Sequence, residues 1–212
     1  MDSIQEKSNK TAAGTHSTSK IRFKNRFTAK RIAFMAIFVA LSYAVSFLAV
    51  PMPLFGAFFL ELDFGNVFIL LVSFLLGPVE GVLVCLLKEG LRCIGSSSNG
   101  AGEIANFFIT SAYILLPAVL YQYRKNLKTV ILSLSIGCVI ATGMALLLNR
   151  FVVFPAFALL GDGTIAGMTV IEAFQAFWVA LLLFNLIKTV SVAFLTVLLY
   201  KRLSNLLKKM KI

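Results

Sequence analysis

From Ile32 to Leu60 the chain runs for 29 residues without one charged side chain. A helix needs roughly 20 apolar residues to cross the hydrocarbon core of a bilayer, so this run is a full crossing with residues to spare. It is not isolated. Uncharged or nearly uncharged runs recur from Phe64 to Val79, Gly81 to Ile94, Ile104 to Tyr123, Thr129 to Leu160 and Ala173 to Tyr200. With 59% hydrophobic and 14% charged residues, against about half and a quarter in soluble domains, lipid is the expected solvent. The same numbers exclude a disordered chain and a disulfide scaffold, since Phe occurs 20 times and Cys three times.

These runs predict an all-α membrane protein of six transmembrane helices. The first ends near Val50, because Pro51 and Pro53 forbid its continuation. The second and third form a hairpin about Gly77-Pro78. The fifth is long and interrupted only by Arg150 and Pro155, and the sixth carries Lys188 near its middle. Of the 20 basic residues, 16 fall before the first run, after the fourth or after the sixth, whereas Glu61, Asp63, Glu103, Asp162 and Glu172 fall on the opposite side. Both termini are therefore expected in the cytoplasm of a multi-pass cell-membrane protein. The net charge of +11 then reflects topology and attraction to anionic lipid, so no nucleic-acid partner is expected. Residues 1–25 lack apolar periodicity and read as a disordered basic cytoplasmic tail, leaving 26–212 as the transmembrane domain.

Several chemistries are missing. The chain has no glycine-rich phosphate loop, so ATP-derived energy must come from partners. Its one histidine, His16, lies in the tail, and Cys85, Cys93 and Cys138 have neither metal-ligand nor redox spacing. No catalytic residue, metal site or cofactor is expected. Binding, transport, a channel or an assembly role remain.

Polar residues inside the apolar runs carry the next step, because an ionisable group at the bilayer centre costs roughly 2.5–3.5 kcal/mol on insertion scales. Lys188 is about 20 Å from either expected end of its helix. Asn185, three residues earlier, projects from the same helical face. The pair reads as a ligand contact, or as interhelical glue with Lys188 paired to a buried carboxylate. Asn149 offers a donor and an acceptor to a planar polar edge, while Arg150 either joins it or reaches the outer interface. Glu80, Lys88, Glu89 and Arg92 mark the third helix as facing protein, with a pair such as Lys88 and Glu103 sufficient to satisfy it. The proline-broken stretch from Pro51 to Leu60 is too apolar for a solvent loop. It reads as a lid over an outward-facing ligand cavity, or as an interfacial anchor. Ser96 to Gly102 reads as a flexible linker or a second gate. Ala29, Ala33, Ala36, Ala40 and Ala44 form a small-residue stripe that lets another helix approach, inside the molecule or on a partner.

From about Arg31 to Arg202 the chain resembles the S components of energy-coupling-factor (ECF) transporters, and most of all their riboflavin-specific branch. The resemblance rests on the alanine stripe, Leu62-Asp-Phe-Gly-Asn66, Leu76-Gly-Pro78 with Gly81, Leu86-Leu-Lys-Glu89, Gly102-Glu-Ile-Ala-Asn-Phe107, Asn149 and Asn185-Leu-Ile-Lys188, in that order. It implies a non-enzymatic subunit that captures a vitamin outside the cell. A transmembrane scaffold subunit and two ATPases would supply the energy, and transport would proceed by toppling of the whole S component in the membrane. Ala33, Ala36 and Ala40 would contact the scaffold. Asn149, Asn185 and Lys188, joined by Asn106, would hydrogen-bond the flavin's polar edge or ribityl chain. Pro53, Leu54, Phe55 and Phe59 would cover its ring. The chain departs from the flavin branch at Asn66 and Phe68, where that branch usually carries Asp and Pro. Alternatives are an S component for another vitamin or heterocycle, such as pantothenate or folate, and an independent channel or secondary transporter in which Lys188 and Glu89 relay ions.

Overall fold

The computed structural model describes residues 28–54, 56–57, 60–96, 98–123, 126–160, 163–165 and 167–210. The tail expected over 1–25 lies outside them. The architecture is a bundle of helices with one small hairpin.

Helix α1 (Ala29–Ser46) starts at Thr28, whose Oγ1 accepts the Arg31 N–H at 3.4 Å. It stops four residues short of the expected Val50. Strand β1 (Val50–Pro51) instead pairs antiparallel with β2 (Glu61–Leu62), Val50 opposite Leu62 and Pro51 opposite Glu61. The Met52 N–H continues the ladder to Leu60 O at 2.8 Å. Gly56, at φ +83°, supports the turn that bridges Leu54 and Ala57. The described residues of the apolar stretch from Pro51 to Leu60 thus belong to a hairpin, with Ala57 and Leu60 buried.

The second expected span, Phe64 to Val79, is replaced by α2 (Asn66–Leu75), only ten residues and so about 15 Å long. Eight of those ten are buried, and α2 touches α1 and three helices that follow, which makes it the central strut of the bundle. The expected break at Gly77-Pro78 is present: Gly77 has φ +135° and Pro78 opens α3 (Pro78–Cys93). Gly81 of α3 lies so close to Ser73 of α2 that a Cβ would overlap it, so the tight crossing of this pair depends on that glycine.

Helix α4 (Ala101–Tyr123) contains a buried Pro117. Helix α5 (Leu127–Leu148) is capped by Asn126, whose Oδ1 accepts the Thr129 N–H at 2.6 Å. The expected helix from Thr129 to Leu160 is continuous in path but changes pitch. A π turn (Asn149–Val153), closed by Phe154 N–H to Asn149 O, leads into α6 (Phe154–Leu160). Pro155 has no N–H to return to Phe151 O, so the regular ladder cannot run through this point. Helix α7 (Val170–Met210) begins at a capping box: Thr169 N–H reaches Glu172 Oε2 at 2.9 Å, and Glu172 N–H reaches Thr169 Oγ1 at 3.4 Å.

Among the described residues, four segments are long and apolar enough to cross a membrane: Ala29–Ser46, Ala101–Tyr123, Lys128–Leu160 and Val170–Leu199. Their outer faces carry exposed Ile37, Leu132, Val139, Phe151, Val190 and Phe194, an exterior that suits lipid.

Candidate functional site

A cavity of about 320 Å³ opens among the connection after β2, the end of α3, the start of α4, the π turn, α6 and the middle of α7. That volume lies within the range of small-molecule sites, roughly 300–1,000 Å³. Its apolar wall comes from Leu60, Ala105, Ile109, Val153, Phe157 and Phe184, and its polar wall includes Asp63, Glu89, Asn106, Asn149, Asn185 and Lys188.

The two buried asparagines are held alike. Asn149 Nδ2 donates to Ala145 O and Asn185 Nδ2 to Leu181 O, each at 2.8 Å, one turn back along its own helix. That bond fixes the plane of the amide and leaves its second hydrogen and Oδ1 for another partner. Asn149 stands where α5 passes into the π turn, so the local change of pitch sets its direction. Lys188 Nζ donates to Asn106 Oδ1 at 2.8 Å and stands 5.8 Å from the centroid of the Phe184 ring. Asn106 turns its Nδ2 to Glu89 Oε1. A lysine only donates and a carboxylate only accepts, so these partners determine the amide's orientation.

From Glu89 the polar chain runs on towards the hairpin. Lys88, fully buried, donates to Glu89 Oε1 at 2.6 Å and to Asp63 Oδ2 at 2.5 Å. Arg92 reaches Asp63 Oδ2 at 3.2 Å and Glu61 Oε2 at 3.3 Å. Asp63 also accepts the Ser46 hydroxyl at 2.9 Å and the Gly65 N–H at 2.7 Å. Burial alone would raise the Asp63 carboxyl, but the charges of Lys88 and Lys188 and the hydrogen bonds from Lys88 and the Gly65 N–H outweigh it, and the pKa falls to about 2. Each buried charge in this row faces an opposite one, which is what lets the row persist inside an apolar bundle.

Four of the site residues singled out from sequence, Asn106, Asn149, Asn185 and Lys188, meet in this cavity. Pro53 and Leu54 do not line it: they sit in the hairpin, Pro53 exposed, while Leu60 at the hairpin's end supplies the wall. Phe55 and Phe59 lie outside the described residues. Ala33, Ala36 and Ala40 are exposed along α1, away from the cavity. The pair suggested between Lys88 and Glu103 is not formed. Asp63 and Glu89 lie nearer, and Glu103 Oε2 instead accepts the hydroxyls of Ser96 at 2.6 Å and Ser98 at 2.8 Å. Those hydroxyls also take the Gly100 and Gly102 N–H groups at 3.0 Å, so Ser96 and Ser98 are hydrogen-bonded onto the start of α4. Lys188 is paired to a neutral amide rather than to a carboxylate. Arg150 lies outside the cavity wall, its guanidinium 5.7 and 5.9 Å from the Phe174 and Phe151 ring centroids. Sequence reasoning missed Asp63 as a hub. The signal was a lone carboxylate between Leu62 and Phe64, on the approach to an apolar helix.

The family model for the substrate-specific component of ECF transporters matches residues 30–200. The riboflavin transporter RibU of Staphylococcus aureus (strain TCH60) is 29% identical over 181 residues, spanning 85% of this chain and 93% of that protein. The riboflavin transporter FmnP of Bacillus subtilis (strain 168) is 25% identical over 131 residues, 60% of this chain and 68% of that protein. A solved structure of the S component of a bacterial ECF transporter is similar at a TM-score of 0.70 and 31% identity, covering 84% of this chain and 98% of that one.

Proposed function

The chain belongs to the substrate-specific components of ECF transporters, membrane proteins that bind a substrate rather than transform it, and we propose that the substrate here is riboflavin. The observation that carries the proposal is the convergence of Asn149, Asn185 and Lys188 on one cavity that also presents an apolar wall of Leu60, Ala105, Ile109, Val153, Phe157 and Phe184. A flavin needs both halves of that surface. Its fused rings gain contact area against Ile109, Val153, Phe157 and Phe184, while its imide edge, one N–H between two carbonyls, asks for an acceptor flanked by donors. Two amides, each with a hydrogen and an oxygen to offer, and one ammonium supply that pattern. The likeness to two riboflavin transporters points the same way.

Around this site we assign six passes, made by α1, α2, α3, α4, the α5–α6 path and α7, with both termini cytoplasmic in a multi-pass protein of the cell membrane. The distribution of Lys and Arg supports that orientation. It places the cavity towards the outside, where a nutrient arrives. Energy comes from partners, a transmembrane scaffold subunit with two ATPases. The exposed Ala33, Ala36 and Ala40 are the docking stripe, since small side chains let a partner helix approach α1 closely in lipid.

The test is a spectrum. Protein purified from cells grown with vitamins is expected to carry the visible absorbance of an oxidised flavin, and the emptied protein to quench the fluorescence of added riboflavin. A colourless preparation that also fails to quench refutes the assignment.

A further inference from the structure

Glu89, in the last two turns of α3, is only 3% exposed, and the two oxygens of its carboxylate are unequally satisfied. Oε1 receives both Lys88 Nζ and Asn106 Nδ2, whereas buried Oε2 takes no hydrogen bond from any described residue. A carboxylate has room for about four donors, and an ionised oxygen kept from water without a donor is among the most costly groups to bury. The neighbouring charges are committed elsewhere. Lys88 is shared with Asp63, Arg92 faces Asp63 and Glu61, Lys188 faces Asn106, and Glu103 accepts from two serines. Yet Glu89 belongs to the wall of the cavity, beside the amide that holds Lys188.

Resting on the flavin reading above, we infer that Glu89 is a specificity-determining residue whose carboxylate accepts an N–H or O–H donor of the bound vitamin. Its Oε1 contacts hold the group in place, and the ligand supplies what Oε2 lacks. Riboflavin carries two kinds of candidate donor, the imide N–H of the ring and the hydroxyls of the ribityl chain. Either satisfies the carboxylate, and a ligand without a donor at that point leaves it bare.

The experiment titrates the purified full-length protein by flavin fluorescence with three ligands. These are riboflavin, 3-methylriboflavin, in which the imide hydrogen is replaced, and lumiflavin, in which a methyl group replaces the polyol chain. Glu89→Gln keeps the shape and an oxygen for Lys88 and Asn106 but puts an N–H where Oε2 stood, so donor meets donor. Riboflavin affinity is expected to fall about tenfold or more. That loss should shrink to about threefold or less for whichever analogue lacks the donor that Glu89 accepts. An equal loss on all three ligands, or none on riboflavin, overturns the inference and leaves Glu89 a structural partner of Lys88. Should Glu89→Gln fail to fold, Glu89→Asp retains the charge that Lys88 needs while withdrawing the carboxylate by one methylene, and the same ligand-selective loss is expected. The wild-type titration separates the two ideas: no riboflavin binding there refutes the vitamin assignment itself, whereas wild-type binding with a ligand-independent loss in the variants refutes only the role of Glu89.

Discussion

Replacing Lys188 by alanine separates a ligand contact from an internal strut. The substitution removes an ammonium whose one hydrogen bond among the described residues runs 2.8 Å to Asn106 Oδ1. A hydrogen bond to a charged group contributes roughly 1.5–3 kcal/mol. At 1.4 kcal/mol per decade this is about a 10- to 150-fold loss of flavin affinity if Lys188 donates to the vitamin. Stability should respond far less. Asn106 keeps its bond to Glu89, and α4 stays tied to α7 through Tyr113 Oη donating to Thr189 O at 3.0 Å. For a chain of this size a change of 1 kcal/mol moves the melting temperature by about 2–4 °C, so the detergent-solubilised variant should melt within that margin of wild type. The assay is a quench titration with riboflavin, run beside a thermal melt of the same preparation. An affinity within twofold of wild type, accompanied by a fall in melting temperature well beyond that margin, would show that Lys188 only holds helices together and would sink the binding geometry argued above.

Other perturbations read other parts of the molecule. Lys88→Met strands Asp63 and Glu89, both buried and each within 2.6 Å of the lost ammonium, so a destabilisation of about 3–5 kcal/mol is expected. It should appear as poor recovery or a lowered melting point, and a normal melt would contradict it. Ala36→Leu adds bulk to the exposed face of α1 and should abolish vitamin uptake by cells while leaving flavin affinity of the purified protein unchanged. Uptake at the wild-type rate removes α1 as the docking face. The Asp63 carboxyl, lowered from 3.8 to about 2, stabilises the fold above pH 3.8, and this contribution, roughly 2 kcal/mol, is lost as the pH falls through about 2. A melting temperature measured from pH 7 down should therefore drop across that acid window in wild type, and Asp63→Asn should remove that part of the drop.

Much of this protein is legible along the chain because its decisive signals are one-dimensional. Hydropathy depends on composition over a window and needs no partner, so the runs around α1, α4, α5 and α7 are visible as membrane segments before any fold is known. Gly77-Pro78 marks a break for local steric reasons, and it lies where the structure turns. Asn185 and Lys188 share a helical face by spacing alone, and they reach the same cavity.

What only the tertiary structure decided is which groups meet. Lys88 had several carboxylates in reach of sequence reasoning. Asp63, 25 residues before it, became its partner because the hairpin returns over the end of α1 and packs that connection against α3. The length of α2 was hidden for the same kind of reason: apolar residues on either side of its ends belong to a return loop and a tight turn, and hydropathy does not distinguish those from helix. Hydropathy and backbone sterics act over a few residues and survive translation into sequence, whereas ion pairing, amide orientation and cavity shape depend on atoms brought within about 3 Å by the whole chain.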